Sequence, residues 1–203
     1  HVYGKSKVPY LERYTPKPFR PYETSKTCID LIAQSYADTF KLPVIIPRFV
    51  NLYGPGDLHF SRIIPKMMRA AIKDNEISFW GGEAVREYLF IDDAIDAYLS
   101  LTQKELPIDK ETRIFNFGSG DKVTVEELAE KIVALSRQKP RIQKIDKKRE
   151  LEITSQYVSS GKAQKLLGWR AKISLNEGLK RTYKWYEKYF KNYTSCFSHS
   201  CRI

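Results

Sequence analysis

The sequence predicts an α/β protein with a mostly parallel sheet. Short apolar runs alternate with longer segments in which apolar residues recur at helical spacing, and glycine or proline separates many of them. This alternation is typical of parallel sheets because parallel strands need long crossover connections. A chain of 203 residues with 42% hydrophobic residues is also long enough to bury a sizeable core.

The first quarter of the chain predicts one long helix and one buried strand. Residues 1–3 read as the end of a strand, and a loop rich in proline and lysine follows. Pro21 opens a predicted helix over 22–40, since proline fits the first turn of a helix. Apolar residues recur in it at Ile29, Ile32, Ala33 and Tyr36. The apolar run at 43–50 is typical of a buried parallel strand.

The second quarter predicts two helices around a pair of strands. A loop rich in glycine and proline at 51–60 precedes a helix over 62–72. Asp92 can cap a further helix that runs to Leu101. The two strands between these helices are predicted at 77–80 and 87–91.

The second half continues the alternation. Thr124 with Glu127, and Ser174 with Glu177, have the spacing of capping boxes that open helices, to about Arg137 and about Lys191 respectively. Gly168 is placed to end a short helix. Strands are predicted at 113–117 and 141–145, and residues 192–203 are expected to form a disordered tail.

Charge and cysteine content narrow the function classes. Lys and Arg number 35 against 24 Asp and Glu, and the basic excess lies after residue 136, which suggests an anionic partner such as a nucleic acid or a phosphorylated small molecule. We expect a cytoplasmic protein with no membrane span and no leader. A metal site is not expected, although one group of possible ligands lies near the end of the chain: Cys196, His199 and Cys201.

Tyr22 and Lys26 form the sharpest local signal for chemistry. They are four residues apart on a predicted helix, so both side chains can point into one site. A free phenol is a poor base at neutral pH, with a pKa of about 10. Because a nearby ammonium group favours the phenolate, the pair could move a proton to or from a substrate hydroxyl.

The order of several separated motifs over residues 1–190 resembles the C-terminal part of the extended short-chain dehydrogenase/reductases that modify nucleotide sugars. The resemblance is greatest to the CDP-glucose 4,6-dehydratases, with UDP-glucose 4-epimerases similar but more distant. The motifs are VYG, PYETSK, IIPRFVNLYGPGD, SRIIP, VREYLFIDDAIDAY, FNFGSG and KAQKLLGW.

The resemblance implies a Rossmann-like parallel sheet, a bound NAD or NADP and oxidation of a sugar at carbon 4. Tyr22 matches the tyrosine that removes the carbon-4 hydroxyl proton, and Lys26 matches the lysine beside it, which also holds the nicotinamide ribose. Phe49 and Val50 match backbone contacts to the nicotinamide end. Asn51 matches an asparagine that binds the sugar-diphosphate side.

The substrate implied by the resemblance is a nucleotide-diphosphate sugar. Arg62 and Arg86 lie where the family places nucleotide and diphosphate ligands, and the guanidinium geometry suits phosphate. Arg149 and Glu152 are three residues apart, as is a family pair that binds diphosphate and nucleotide ribose.

The resemblance also implies a division of the chain. Residues 1–55 would be the remainder of the dinucleotide-binding domain, and residues 56–191 mainly a smaller α/β substrate lobe with some segments returning to the sheet. The Gly-rich phosphate loop would lie outside this chain, so we expect weak cofactor binding by the chain alone. Full-length relatives commonly form homodimers through the Tyr-Lys helix, which predicts an exposed apolar face on residues 22–40.

The sequence leaves three functions open. The first is an NDP-sugar 4,6-dehydratase, and the second is an NDP-sugar 4-epimerase; residues before Val2 separate them, and only His1 is present. The third is a non-catalytic module that binds a nucleotide diphosphate. A nucleic-acid-binding protein is disfavoured because the basic residues form no recognised motif.

Overall fold

The computed structural model describes residues 2–74, 76–103, 109, 113–145 and 153–197, and it confirms the α/β class. The helices are α1 (Pro21–Phe40), α2 (Ile63–Arg69), α3 (Ile91–Gln103), α4 (Val125–Leu135), α5 (Gly161–Leu167) and α6 (Leu175–Phe197), with a π-helical segment at Ala70–Asp74. The strands are β1 (Ile46–Phe49), β2 (Asn51–Tyr53), β3 (Glu76–Trp80), β4 (Val85–Phe90), β5 (Ile114–Phe117), β6 (Lys122–Thr124), β7 (Arg141–Ile145) and β8 (Ser155–Gln156).

The chain forms two compact units, and it passes from one to the other several times. Unit 1 contains His1–Leu52, Val85–Lys122 and Ile153–Lys172; unit 2 contains Tyr53–Ala84, Val123–Glu152 and Ile173–Ile203. None of the helices that the structure describes is long and apolar enough to cross a membrane.

Unit 1 is built on parallel strand pairs. β1 pairs with β5 from Ile46 opposite Ile114 to Phe49 opposite Phe117, and β4 pairs with β8. Helices α3 and α5 supply apolar side chains to its core, and Trp169 packs edge-on against Phe117 with ring centroids 4.8 Å apart. The carboxyl end of β1, which lies shortly before Asn51 in the chain, therefore packs against a buried apolar core.

Unit 2 is an apolar assembly around one parallel pair. β3 pairs with β7 in register from Glu76 opposite Arg141 to Trp80 opposite Ile145. Helices α2, α4 and α6 contribute fully buried side chains, among them Met68, Leu128 and Leu179. Its buried polar side chains include Ser136, whose hydroxyl donates to the carbonyl oxygen of Ala71 at 3.0 Å.

Several helix boundaries follow the local sequence signals. Pro21 occupies the first turn of α1, as predicted. The Thr124 side chain accepts from the Glu127 backbone N–H, and the Glu127 carboxylate accepts from the Thr124 N–H, which confirms that capping box. Gly168 ends α5 with a φ of 72°, a left-handed conformation that favours glycine.

Other predicted boundaries are wrong. Residues 2–5 form a turn rather than a strand end: Gly4 has a φ of 56°, and a Cβ there would lie 1.8 Å from the carbonyl oxygen of Lys17. Residues 51–53 form β2 rather than loop. Asp92 lies inside the first turn of α3, because the helix begins at Ile91 directly after β4.

Two helical ends also differ from the prediction. The segment predicted as one helix over 62–72 is α2 followed by the π-helical segment. Helix α6 continues through residues 192–197, which were expected to belong to a disordered tail. No glycine or proline follows Gly178 in the sequence, so no residue of the helix-breaking types ends α6 near Lys191. Residues 198–203 lie outside the described part of the chain.

Candidate active site

Unit 1 contains a cavity of about 430 Å³ at the carboxyl end of β1. Its walls come from three parts of the unit: helix α1, the strand β1 with the residues that follow it, and the loops at residues 2–10 and 156–158. Ligands of open α/β sheets bind at the carboxyl ends of strands. This cavity is therefore the place in unit 1 to look for a binding site.

Tyr22 and Lys26 both line the cavity, as their helical spacing predicts. The Tyr22 side chain is 59% exposed, and the Lys26 Nζ lies 5.6 Å from the centroid of its ring. At this distance the ammonium charge acts on the phenol ring. The phenol and the ammonium thus share one end of the cavity.

Phe49, Val50 and Asn51 line the same cavity from the strand side. The Phe49 ring stacks on Phe117 with centroids 5.2 Å apart, and the Val50 N–H donates to the Phe117 carbonyl oxygen at 3.1 Å. The Asn51 Nδ2 donates to the carbonyl oxygen of Glu87 at 3.1 Å. The structure therefore brings together five residues that the sequence singles out: Tyr22, Lys26, Phe49, Val50 and Asn51.

Arg86 lies on β4, opposite Gln156 of β8, and Gln156 lines the cavity. Arg86 itself is outside the cavity lining, and its Nη1 donates to the carbonyl oxygen of Val85 at 2.9 Å. Burial raises the pKa of Tyr10, a cavity residue, and the positive charge of Arg86 opposes that shift. The charge of Arg86 therefore acts on Tyr10, one residue of the cavity wall.

Among the remaining predicted ligands, Arg62 does not line this cavity. Arg62 belongs to unit 2, where its 62% exposed side chain pairs with Asp57 at 3.0 Å between Nη1 and Oδ2. Arg149 and Glu152 lie outside the described residues, as do His199 and Cys201 and the side chain of Cys196.

An ion pair that the sequence analysis missed forms one wall of the cavity. Arg48 Nε lies 2.7 Å from Asp30 Oδ2, and Arg48 Nη2 lies 2.9 Å from Asp30 Oδ1, so the contact is bidentate. The side chains are 7% and 5% exposed. The signal was available: Asp30 is four residues after Lys26, and Arg48 interrupts an apolar run, so each charge needs a partner if buried.

Tyr3 extends this ion pair towards β5. Arg48 Nη1 donates to the Tyr3 hydroxyl at 2.9 Å, and that hydroxyl donates to Asn116 Oδ1 at 2.6 Å. Burial raises the pKa of Tyr3, so the phenol stays protonated as this donor. Burial alone would lower the pKa of Arg48, but its bonds to Asp30 and Tyr3 outweigh burial and raise it.

Glu87 is a second buried charge that the sequence analysis missed. Its carboxylate accepts from the N–H of Gly120 at 2.6 Å and of Val158 at 2.9 Å. A Cβ at Gly118 would lie 2.5 Å from Glu87 Oε1, so a larger residue there would displace the carboxylate. Burial raises the pKa of Glu87, and the two N–H bonds oppose the shift. Glu87 therefore joins β4 to the segments that contain Gly120 and Val158, and Val158 lines the cavity.

Comparison with known proteins gives a consistent result. A family model described as "NAD dependent epimerase/dehydratase family" matches residues 1–118. The human dTDP-D-glucose 4,6-dehydratase is 30% identical over an alignment of 205 positions that covers 95% of this chain and 55% of that protein. The chain thus spans about half the length of the curated relatives it matches.

Solved structures show the same fold. The dTDP-glucose 4,6-dehydratase from Bacillus anthracis, in complex with NAD, has a TM-score of 0.79 and 28% identity, covering 92% of this chain and 59% of that one. The UDP-glucose 4-epimerase from Thermotoga maritima, with UDP-glucose, has a TM-score of 0.81 and 27% identity, covering 93% and 61%. The parallel sheet predicted to be Rossmann-like therefore has its counterparts in dehydratases and epimerases.

Proposed function

The chain belongs to the NAD dependent epimerase/dehydratase family, and we propose that it acts on a nucleotide-diphosphate sugar through a 4-keto intermediate, as an NDP-sugar 4,6-dehydratase. One observation carries the proposal: Tyr22, Lys26 and the end of β1 line a single cavity. That arrangement supplies a proton acceptor, a cation beside it and an apolar wall.

Tyr22 is the proposed acid and base. Its phenol oxygen, on the cavity side and in the phenolate form, accepts the proton of the carbon-4 hydroxyl as the sugar is oxidised, and Tyr22 becomes the neutral phenol. Lys26, 5.6 Å from the Tyr22 ring centroid, stabilises the negative charge on the phenol oxygen through its ammonium group. In the dehydratase, loss of water across carbons 5 and 6 then follows, and reduction at carbon 6 completes the reaction.

The residues at the end of β1 fit the nicotinamide half of NAD or NADP. Phe49 and Val50 give the cavity that Tyr22 lines an apolar wall, and Lys26 can donate to ribose hydroxyls. When bound, the cofactor would accept a hydride from carbon 4 and return it later.

Asn51 and Arg86 are the proposed ligands of the substrate in unit 1. The Asn51 side chain lines the cavity, where its oxygen and remaining N–H can bind the sugar-diphosphate side. The guanidinium of Arg86 suits a phosphate oxygen. Arg62, Arg149 and Glu152 are proposed to bind the nucleotide and diphosphate as well.

Isothermal titration of the chain with NAD, CDP-glucose and UDP-glucose tests this proposal. We expect at least one sugar nucleotide to bind, and Arg86→Ala to weaken it about tenfold or more through loss of a phosphate contact. Lys165→Ala, an exposed lysine of unit 1 on α5, serves as the matched control and should bind as wild type. No binding of any of the three compounds by folded protein would contradict the proposal.

A 4-epimerase is the second candidate, favoured by the similarity to the Thermotoga maritima UDP-glucose 4-epimerase. Both reactions begin with the same proton removal by Tyr22. Proton NMR of the products separates them, because only the dehydratase creates a 6-deoxy sugar with a methyl signal. If the chain binds both NAD and a sugar nucleotide but converts neither sugar, the third reading, a non-catalytic nucleotide-binding module, is correct.

We also propose that α1 provides a homodimer interface. Four of its large apolar residues do not line the cavity and are each more than half exposed: Leu31, Ile32, Tyr36 and Phe40. Contiguous exposed apolar surface of this kind marks a contact with another protein. Light scattering should show a dimer for the wild type and a monomer for Ile32→Lys, whereas a monomeric wild type at high concentration would contradict the interface.

A further inference from the structure

Helix α1 carries the proposed catalytic pair, yet its own packing into unit 1 is almost entirely polar. Its buried side chains are Glu23, Thr27, Asp30 and Ala37, so alanine is the only apolar residue among them. A single methyl group gives little apolar burial to fix the rotation of a 20-residue helix. Another kind of contact must set where Tyr22 and Lys26 point.

The Asp30–Arg48 ion pair is placed to do this. Tyr22, Lys26 and Asp30 follow one another at intervals of four residues, so they lie along one side of α1. Arg48 is the residue before Phe49 on β1. The bidentate contact therefore ties the helix that holds the proton acceptor to the strand that forms the opposite wall of the same cavity.

Arg48, the residue of this ion pair that lies on β1, is itself held in place by further hydrogen bonds. Arg48 pairs with Asn116 across the β1–β5 register, and the Tyr3 hydroxyl bridges the two side chains. The Asn116 Nδ2 also donates to the Tyr10 carbonyl oxygen at 3.1 Å. A planar guanidinium and a planar carboxylate form a bidentate contact in only a few relative orientations. The network therefore fixes the orientation of α1 relative to β1.

We propose that Asp30 and Arg48 are positioning residues for the cofactor and sugar cavity: they set the placement of Tyr22 and Lys26 relative to Phe49 and Val50. The inference rests on the proposed function, because it concerns the same cavity. Neither residue needs to touch substrate. A buried ion pair is a poor source of stability but can specify one arrangement over others, and this pair does so for the site.

An apolar replacement separates positioning from stability. Asp30→Leu with Arg48→Met keeps a buried contact of similar volume, and such replacements leave proteins as stable or more stable. We expect the thermal midpoint to be unchanged or raised, and the affinity for NAD or UDP-glucose to fall about tenfold, since small misplacements of positioned groups are costly. A stable double variant that binds as wild type overturns the proposal.

A surface pair of the same unit provides the control. Lys172 and Asp96, at 2.6 Å and with side chains 73% and 41% exposed, should be replaceable by Met and Leu with no loss of affinity. If the apolar double variant does not fold, Arg48→Lys answers the same question: it keeps the charge but not the bidentate contact. Reduced affinity supports positioning, and wild-type affinity overturns it.

A distance measurement decides the proposal even if the wild type binds neither compound, in which case the proposed function fails by itself. Cys28 is exposed on α1, and a spin label there can be paired with one at Lys165→Cys on α5, with Cys196 and Cys201 replaced by serine. We expect the distance distribution to shift or broaden in the apolar double variant and in Arg48→Lys. In a protein without ligand binding, an unchanged distribution overturns positioning.

Discussion

The two units bury different kinds of side chain. All buried charged residues in the part of the chain that the structure describes belong to unit 1: Glu23, Asp30, Arg48, Glu87, Asp93 and Arg113. The described residues of unit 2 bury only Ser136 and Thr182 as polar side chains, and both hydroxyls donate to backbone carbonyl oxygens. Both units thus have an apolar core, but only the unit with the candidate active site also buries charged side chains among the described residues.

The difference is clearest between the two longest helices. Helix α1 buries four side chains, of which two are carboxylates, and presents Ile32 and Phe40 to solvent. Helix α6 buries Leu179, Tyr183 and Tyr186 instead. Apolar packing tolerates small rotations of a helix, whereas a bidentate ion pair does not. A helix that must aim two side chains into a cavity therefore benefits from charged contacts.

The largest expected effect comes from removing one partner of the buried ion pair in unit 1. Asp30→Ala leaves Arg48 buried without its carboxylate partner, so we expect a loss of about 3–5 kcal/mol of unfolding free energy in unit 1. Hydrogen exchange followed by mass spectrometry reports each unit separately. Protection should fall in α1 and β1.

The control for this variant is Asp96→Ala, which removes an exposed partner in the same unit. It should leave protection unchanged within error, because exposed ion pairs contribute little. If the two variants lose protection equally, burial of the charge does not affect stability. The proposed difference between the two units would then be wrong.

The next effect tests unit 2. Leu179 is fully buried on α6, and Leu179→Ala should cost about 3 kcal/mol through lost burial and the cavity left behind. Hydrogen exchange should show the loss in unit 2, with no dependence on pH between 4 and 8. Lys180→Ala, the exposed neighbour on the same helix, is the control and should change little. A loss that varies with pH would show that unit 2 also depends on charges.

A smaller effect concerns the pH dependence of unit 1. Burial raises the pKa of Glu87 above the ordinary value of 4.5, so the folded state binds a proton more tightly than the unfolded state. The stability from this group is present below pH 4.5 and is lost as pH rises through the raised pKa. Urea unfolding should show this decline for the wild type relative to Glu87→Gln, which cannot ionise.

A second Glu→Gln variant, in unit 2, serves as the comparison for Glu87→Gln. Glu177→Gln on α6 removes a carboxylate whose pKa is lowered by its exposed contact with Arg181. The stability of the wild type relative to Glu177→Gln should show the opposite and weaker trend, since a lowered carboxylate pKa gives stability that is lost as pH falls. If the stability of Glu87→Gln falls with rising pH as much as that of the wild type and of Glu177→Gln, then Glu87 is not the source of the decline.

Much of the fold follows from local sequence signals, because those signals are themselves local interactions. Pro21 opens α1, Thr124 and Glu127 form a capping box, and Gly168 ends α5, each within a few residues of chain. The turn at residues 2–5 was mistaken for a strand because its cause is distant: the Lys17 N–H donates to the Val2 carbonyl oxygen. Contacts of this kind leave no periodic pattern.

The same reasoning explains what was found of the candidate site. Tyr22 and Lys26 are predictable from helical spacing, and Phe49 to Asn51 from their place after a strand. Asp30 and Arg48 stand at positions whose local sequence suggests burial, and Glu87 does not, but only the three-dimensional structure shows which groups partner them. The pairing of Asp30 with Arg48 spans 18 residues, and nothing in either local segment specifies the other.

The smallest expected effect concerns the apolar residues that α1 presents to solvent. If charges hold α1 in unit 1, then Ile32, which is 55% exposed, contributes little to folding, and Ile32→Lys should change the unfolding free energy of dilute protein by no more than about 0.5 kcal/mol. Ala37→Lys, at a buried position of the same helix, should be clearly destabilising. Dilution separates folding from association, because a dimer contact loses its contribution as concentration falls. A large loss for Ile32→Lys at the lowest concentration would show that apolar packing, rather than the Asp30–Arg48 pair, holds the helix.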